Sequence, residues 1–233
     1  IQGISILALP LTFFVFRGLP DRGYLFSKIL GLLLVAYIVW LLASLKWMSF
    51  STNSIILATG LLFLASMVVM FFKGRELAVL IKEKWRLFIT AETLFLIAFV
   101  GFLLIRMANP DLWHPFRGGE KPMDFAYLNA ILRSTYMPPY DPWFSGGFLN
   151  YYYMGQFIVA MLIKAVGINP TVAYNMAVPL FFALTIGGSF SLVYNLCEAT
   201  RIKLAGKFTI TPIIAGIVGA FFVAVIGNLD GII

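Results

Sequence analysis

Charge is scarce in this chain: Asp, Glu, Lys and Arg make up 12% of its 233 residues, against 61% apolar ones. A water-facing domain could not hide that much apolar surface, so a soluble globular fold is excluded and the bilayer is the solvent. Cysteine occurs once, at Cys197, which excludes an intramolecular disulfide and any cysteine-based metal cluster. Histidine also occurs once, at His114, so neither a histidine-rich metal site nor a histidine relay can be built, and a structural role is expected for that ring. No internal repeat or low-complexity segment supports a solenoid or inverted-repeat architecture. Residues 1–16 lack the basic n-region and small-residue cleavage site of a signal peptide and read as a span. The chain opens on Ile1 and stops at Ile233 directly after an apolar run, which reads as a piece of a longer protein.

What is present is a series of apolar runs long enough to cross a hydrocarbon core, at about 26–45, 54–72, 87–105, 171–196 and 208–227. With residues 1–16 they make six expected spans. A seventh run, Tyr151 to Ile163, reaches only about 20 Å at roughly 1.5 Å per residue, short of the ~30 Å a span requires.

The formal charge of +7 comes from short basic clusters between these runs, which suits membrane orientation rather than nucleic acid, and no nucleic-acid partner is expected. Lys73, Arg75, Lys82, Lys84 and Arg86 form the densest cluster and belong on the cytoplasmic side, in a loop between spans. Counting spans then puts Arg17, Arg22 and Lys28 inside and residues 106–150 outside. The cluster Arg201, Lys203 and Lys207 falls inside only if the 151–163 run does not cross. The last span then carries Asn228, Asp230 and Gly231 to the external face.

The expected fold is an all-α integral membrane protein, a multispan helical bundle with a long external loop containing juxtamembrane helices. Residues 1–105 form a four-span region, 106–170 the external loop with two short helices, and 171–233 two further spans. Its localisation is the cell membrane, with membrane lipids as partners. Small residues at Gly187, Gly188, Gly216, Gly219 and Ala220 allow close helix contacts, and Pro179 is expected to kink its helix.

The loop between Arg106 and Asn150 gathers Asp111, Glu120, Asp124 and Asp141, four of the chain's ten acidic residues. Gly118 to Asp124 reads as a turn entering a helix, with Pro122 near its first position and its end near Arg133. Asp124 then lies in the first turn, where free N–H groups and the macrodipole favour a carboxylate. It is either a favourable helix-start acid or a base or metal ligand at the membrane surface. Glu120 in the preceding turn could join it on a divalent cation (Mg or Mn) through oxygen ligands.

Beyond that helix, Met137 to Trp143 is held extended by its prolines and displays aromatic side chains. Gly146 and Gly147 supply a turn, and Asn150 is placed as the N-cap of a helix opening with Tyr151, Tyr152 and Tyr153. On a helix those three rings point about 100° apart. They serve either as an interfacial aromatic belt or as hydroxyl donors to a sugar or phosphate. Arg106, Arg117, Lys121 and Arg133 are candidate ligands for an anionic headgroup, or simply membrane-edge anchors. Glu92, inside a span, is functional unless paired, with Arg86 or Lys84 as the expected partner.

Three motifs in order, Gly118 to Phe125, Pro138 to Trp143, and Asn150 to Tyr153 with Gly155, resemble the YYY family of large archaeal and bacterial membrane proteins. The resemblance covers roughly 106–170 closely. That family is similar to the C-type glycosyltransferase superfamily, whose multispan enzymes take a sugar from a polyprenyl-phosphate donor outside the membrane. The resemblance implies a C-type glycosyltransferase-like fold, with Asp124 as the catalytic or metal-binding acid of the first external loop and Asp230 in the second. The acidic pair of that superfamily is adjacent or one residue apart, whereas Glu120 and Asp124 are four apart. Trp143 and Tyr151 to Tyr153, with Asn150, Arg117 and Arg133, would bind substrate; Glu120, Asp124 and Asp230 would hold the metal. The competing expectation is a non-catalytic membrane scaffold or assembly subunit, with this loop as the docking surface for protein partners.

Overall fold

The computed structural model describes residues 1–112, 119–204 and 210–227. The described residues are mostly helical: α1 Gln2–Val15, α2 Phe26–Ser44, α3 Thr52–Glu83, α4 Trp85–Ala108, α5 Lys121–Arg133, α6 Met154–Val166, α7 Pro170–Lys203 and α8 Pro212–Phe221, the last continuing as a π-helical turn Phe222–Ile226. Among the described residues, extended pairing is confined to one isolated antiparallel bridge between Tyr140 and Phe148. This is an all-α integral membrane protein, and α2, α3, α4 and α7 are each long and apolar enough to cross a bilayer.

Six spans were expected, with residues 1–16 the shortest of them. α1, and α8 with its π turn, are shorter in their described residues, at 14 residues and at 10 plus 5. The basic segment 73–83, expected as a loop, is helical and completes the 32 residues of α3. Lys, Arg, Glu, Leu and Ala are all strong helix formers and outnumber Gly74, Val79 and Ile81 in this segment, so the helix outlasts the apolar run. α7 runs unbroken through Pro179.

The chain divides into two compact units. The first comprises residues 1–31, 63–102 and 179–233; the second, residues 32–62 and 103–178. In the first, Leu25, Leu87, Phe88, Ala91, Ile186, Phe190, Tyr194 and Ala220 form a buried core, with Tyr24 stacked 4.1 Å from Phe88. α8 meets α7 through glycine: a Cβ on Gly219 would stand 2.5 Å from Val193, and one on Gly216 2.9 Å from Phe190. Those positions admit no side chain without displacing a neighbour.

Glu92 is paired, but not with Arg86 or Lys84. Its carboxylate lies 2.8 Å from the buried Lys28 ammonium and accepts from Gln2 Nε2 at 2.7 Å, while Lys28 also donates to Gln2 Oε1. Arg86, six residues upstream, is turned roughly 240° around α4 and lies against the Trp85 ring. Lys84 is engaged with the carbonyl of Pro20.

In the second unit, α5 and α6 pack together. α5 buries Tyr127, Leu128, Ala130 and Ile131, a stripe at helical spacing that continues back to Asp124. α6 buries Phe157 to Met161 and Ile163, and Phe157 meets Phe50 at 4.9 Å. α6 ends at Gly167, whose positive φ of 72° and N–H bond to the Ile163 carbonyl close the last turn. At 13 residues, α6 is too short to cross a ~30 Å core.

Candidate functional site

α5 positions the acid. Lys121 opens the helix with Pro122 beside it, Glu120 occupies the N-cap position, and the Asp124 N–H donates to the Glu120 carbonyl at 2.9 Å. Asp124 therefore sits in the first turn, among N–H groups with no intrahelical acceptor. One of its oxygens, Oδ1, accepts from Gln156 Nε2 at 2.9 Å. The neighbouring Phe125 is held edge-on against Tyr174 at 5.8 Å.

The three tyrosines do not open a helix, and Asn150 is not a cap. α6 begins at Met154 with Tyr153 in the N-cap position, so Tyr151 to Tyr153 precede it as irregular chain. The 100° spacing expected for them does not apply, and the rings take separate roles. The Tyr153 hydroxyl accepts the Trp40 indole N–H at 2.8 Å. Tyr151 packs edge-on against Tyr152 at 5.0 Å and tilts toward Tyr127 at 6.1 Å. Tyr152 is 83% exposed.

These groups surround an open cavity of about 600 Å³, lined by Trp40, Glu120, Asp124, the three tyrosines and the start of α6 through Gln156. Trp40 and Gln156 were missed by sequence reasoning. Gln156 had a faint signal as the one amide in the apolar run from Met154 to Ile163. Trp40 had none, as a tryptophan within an expected span.

Other expected site residues lie apart. Arg133 is in the last turn of α5, nine residues or roughly 13 Å along the helix from Asp124. Trp143 is on the exposed loop between Tyr140 and Phe148, where its N–H and that of Phe144 donate to Asp141 Oδ1 at 2.8 and 3.3 Å. Asp141 thus shapes a turn. Asn150 is exposed and does not line the cavity. Arg106 donates to the carbonyls of Asn109 and Asp111, a local role at its helix end. Arg117, His114, Lys207 and Asp230 fall outside the described residues.

Two carboxylates, Glu120 and Asp124, share the cavity and suit a hard divalent cation by oxygen ligation, with further ligands to come from water, substrate or elsewhere in the chain. Among the described residues no group of three His, Cys, Asp or Glu side chains converges. Burial, and then the carboxylates Asp141, Asp124 and Glu120, push the Tyr127 phenol above its ordinary range. Burial lowers the Lys164 ammonium, which rests 4.7 Å over the Phe50 ring.

Residues 34–233 match the family described as Uncharacterized membrane protein (DUF2298). No curated protein and no solved structure matches the chain.

Proposed function

The chain belongs to the uncharacterized membrane protein family DUF2298, and from that footing we propose that it is a membrane glycosyltransferase using a polyprenyl-phosphate-linked sugar donor at the external face. The observation that carries this reading is Asp124: a carboxylate in the first turn of α5, held through one oxygen by Gln156, at the wall of a tyrosine-lined cavity. The likeness of its motifs to the YYY family and the C-type glycosyltransferases supports the same assignment. In this reading residues 1–105 and 171–233 supply the membrane region and 106–170 the external loop.

Transfer would be inverting. The Asp124 oxygen not bonded to Gln156 takes the proton of the acceptor hydroxyl as the hydroxyl oxygen bonds to the anomeric carbon. The bond from that carbon to the lipid phosphate breaks, and its electron pair leaves with the phosphate. Arg117 is the cation assigned to that leaving group, and Tyr151 to Tyr153 the sugar contacts. A divalent cation held by Glu120 and Asp124 would add charge stabilisation to the phosphate when bound.

Asp124→Asn keeps the shape and removes the base. Transfer by membranes bearing this variant falls by about 10²- to 10⁴-fold while expression holds; unchanged turnover overturns the role.

A second reading rests on a different observation. The loop from Tyr140 to Phe148 exposes Trp143, Phe144 and Phe148 by 66, 69 and 68%, a surface suited to a protein partner in a membrane assembly. A partner that co-purifies with the native chain and is lost from Trp143→Ala/Phe144→Ala, with transfer absent in both, supports the scaffold instead.

A further inference from the structure

A second cleft, also of about 600 Å³, lies in the first unit, between Phe13 at the end of α1, Arg22 in the turn before α2, and the face of α3 carrying Phe72, Arg75, Val79 and Leu80. It combines two guanidiniums with an apolar wall. Two carboxylates also line it: Glu76 is engaged by Lys73 at 2.5 Å, which leaves Glu83 as one carboxylate against the two guanidiniums. Among the described residues neither Arg22 nor Arg75 has a carboxylate within salt-bridge distance. The surrounding stretch from Lys73 to Arg86 carries five cations against two carboxylates, so the local field favours an anion.

Arg22 is aimed rather than loosely displayed. Its backbone is left-handed, with φ of 54°, which is unfavourable for a residue with a side chain. A buried polar network holds it there: the Ser191 hydroxyl donates to Asp21 Oδ2 at 2.5 Å, the Asp21 N–H donates to Asn195 at 3.0 Å, and the Gly23 N–H returns to Asp21 Oδ1 at 2.8 Å. The turn so fixed lays the Arg22 guanidinium 5.0 Å from the centre of the Phe13 ring, at the cleft. Arg75 follows Phe72 by three residues and precedes Val79 by four, so one face of α3 presents a cation flanked by exposed apolar side chains.

We infer that this cleft binds an anionic phospholipid, with Arg22 and Arg75 on the phosphodiester and Phe72 and Val79 against the glycerol and upper acyl chain. A guanidinium pair matches the geometry of phosphate oxygens, and the adjoining apolar wall is what a free phosphate would not need. The inference is independent of the sugar-transfer reading.

The test is native mass spectrometry of the full chain in a neutral detergent, titrated with dioleoylphosphatidylglycerol or dioleoylphosphatidylcholine. The anionic lipid binds with about tenfold or greater preference, and inorganic phosphate at the same concentration fails to displace it. Arg75→Ala, on an exposed helix face, and Arg22→Gly, which retains the left-handed backbone, each reduce the preference to within about twofold. Arg86→Ala, outside the cleft, keeps it. Equal binding of the two lipids, displacement by inorganic phosphate, full preference in Arg75→Ala and Arg22→Gly, or an equal loss in Arg86→Ala each overturn the inference.

Discussion

Gln156 reaches Asp124 across 32 residues of sequence, and Trp40 reaches Tyr153 across 113. Such pairs leave no local trace, whereas Glu120, Asp124 and the tyrosine run stood out by composition alone, as polar residues gathered in an apolar chain. The partner of Glu92 was misjudged for the same reason, since Lys28 is 64 residues away and the nearer cations face elsewhere. On the sugar-transfer reading proposed above, Gln156 is a positioning residue for Asp124: Gln156→Leu is expected to lower kcat for transfer about tenfold and to leave KM within about twofold, as a kinetic split on purified protein will show. Tyr127 provides a pH-dependent readout. Its phenol is raised by burial, so the folded state stays neutral where an unfolded chain begins to ionise near pH 10. Its stability contribution is therefore intact below pH 10 and lost as pH climbs toward the folded pKa; Tyr127→Phe makes the alkaline decline in unfolding midpoints shallower.

Among the elements, the helices were legible and their ends were not. The apolar period located α2, α3, α4 and α7, because burial in lipid writes itself as a long apolar run. The basic run after residue 72 reads as a loop in sequence because charge density marks a membrane edge, yet a helix can leave the bilayer without unwinding. Tyr151 to Tyr153 were read as helical because they adjoin an apolar run, but Tyr153 is the N-cap of α6 and is tied to Trp40. The Lys28–Glu92 pair joins α2 to α4, with Lys28 2% and Glu92 31% exposed. Glu92→Ala leaves the ammonium buried and costs about 3 kcal/mol, the low end for a buried pair given the partial exposure of Glu92. Lys28→Met/Glu92→Leu recovers most of that loss in thermal unfolding. Gly219→Leu forces Val193 aside and destabilises the contact of α8 with α7 by about 1–3 kcal/mol.

At the scale of the molecule, composition alone identified a membrane protein, since no other solvent accepts a chain so poor in charge. Sidedness is a matter of counting spans, and it can be read chemically because the single native thiol, Cys197, is buried. Ser145→Cys in the exposed loop should react with a membrane-impermeant maleimide on intact cells, and Lys82→Cys on α3 only after permeabilisation; the reverse pattern inverts the orientation proposed for the 106–170 loop. The same loop carries a property that sequence could only hint at through its prolines and glycines. Asp141 N–H is bonded to the Gly147 carbonyl, Leu149 N–H to the Pro139 carbonyl, and the Asp141 carboxylate to two further N–H groups. The backbone that carries Trp143 and Phe144 therefore has little conformational entropy left to lose. Whatever surface meets those rings has only their side-chain freedom to quench, roughly 0.5–1.5 kcal/mol each.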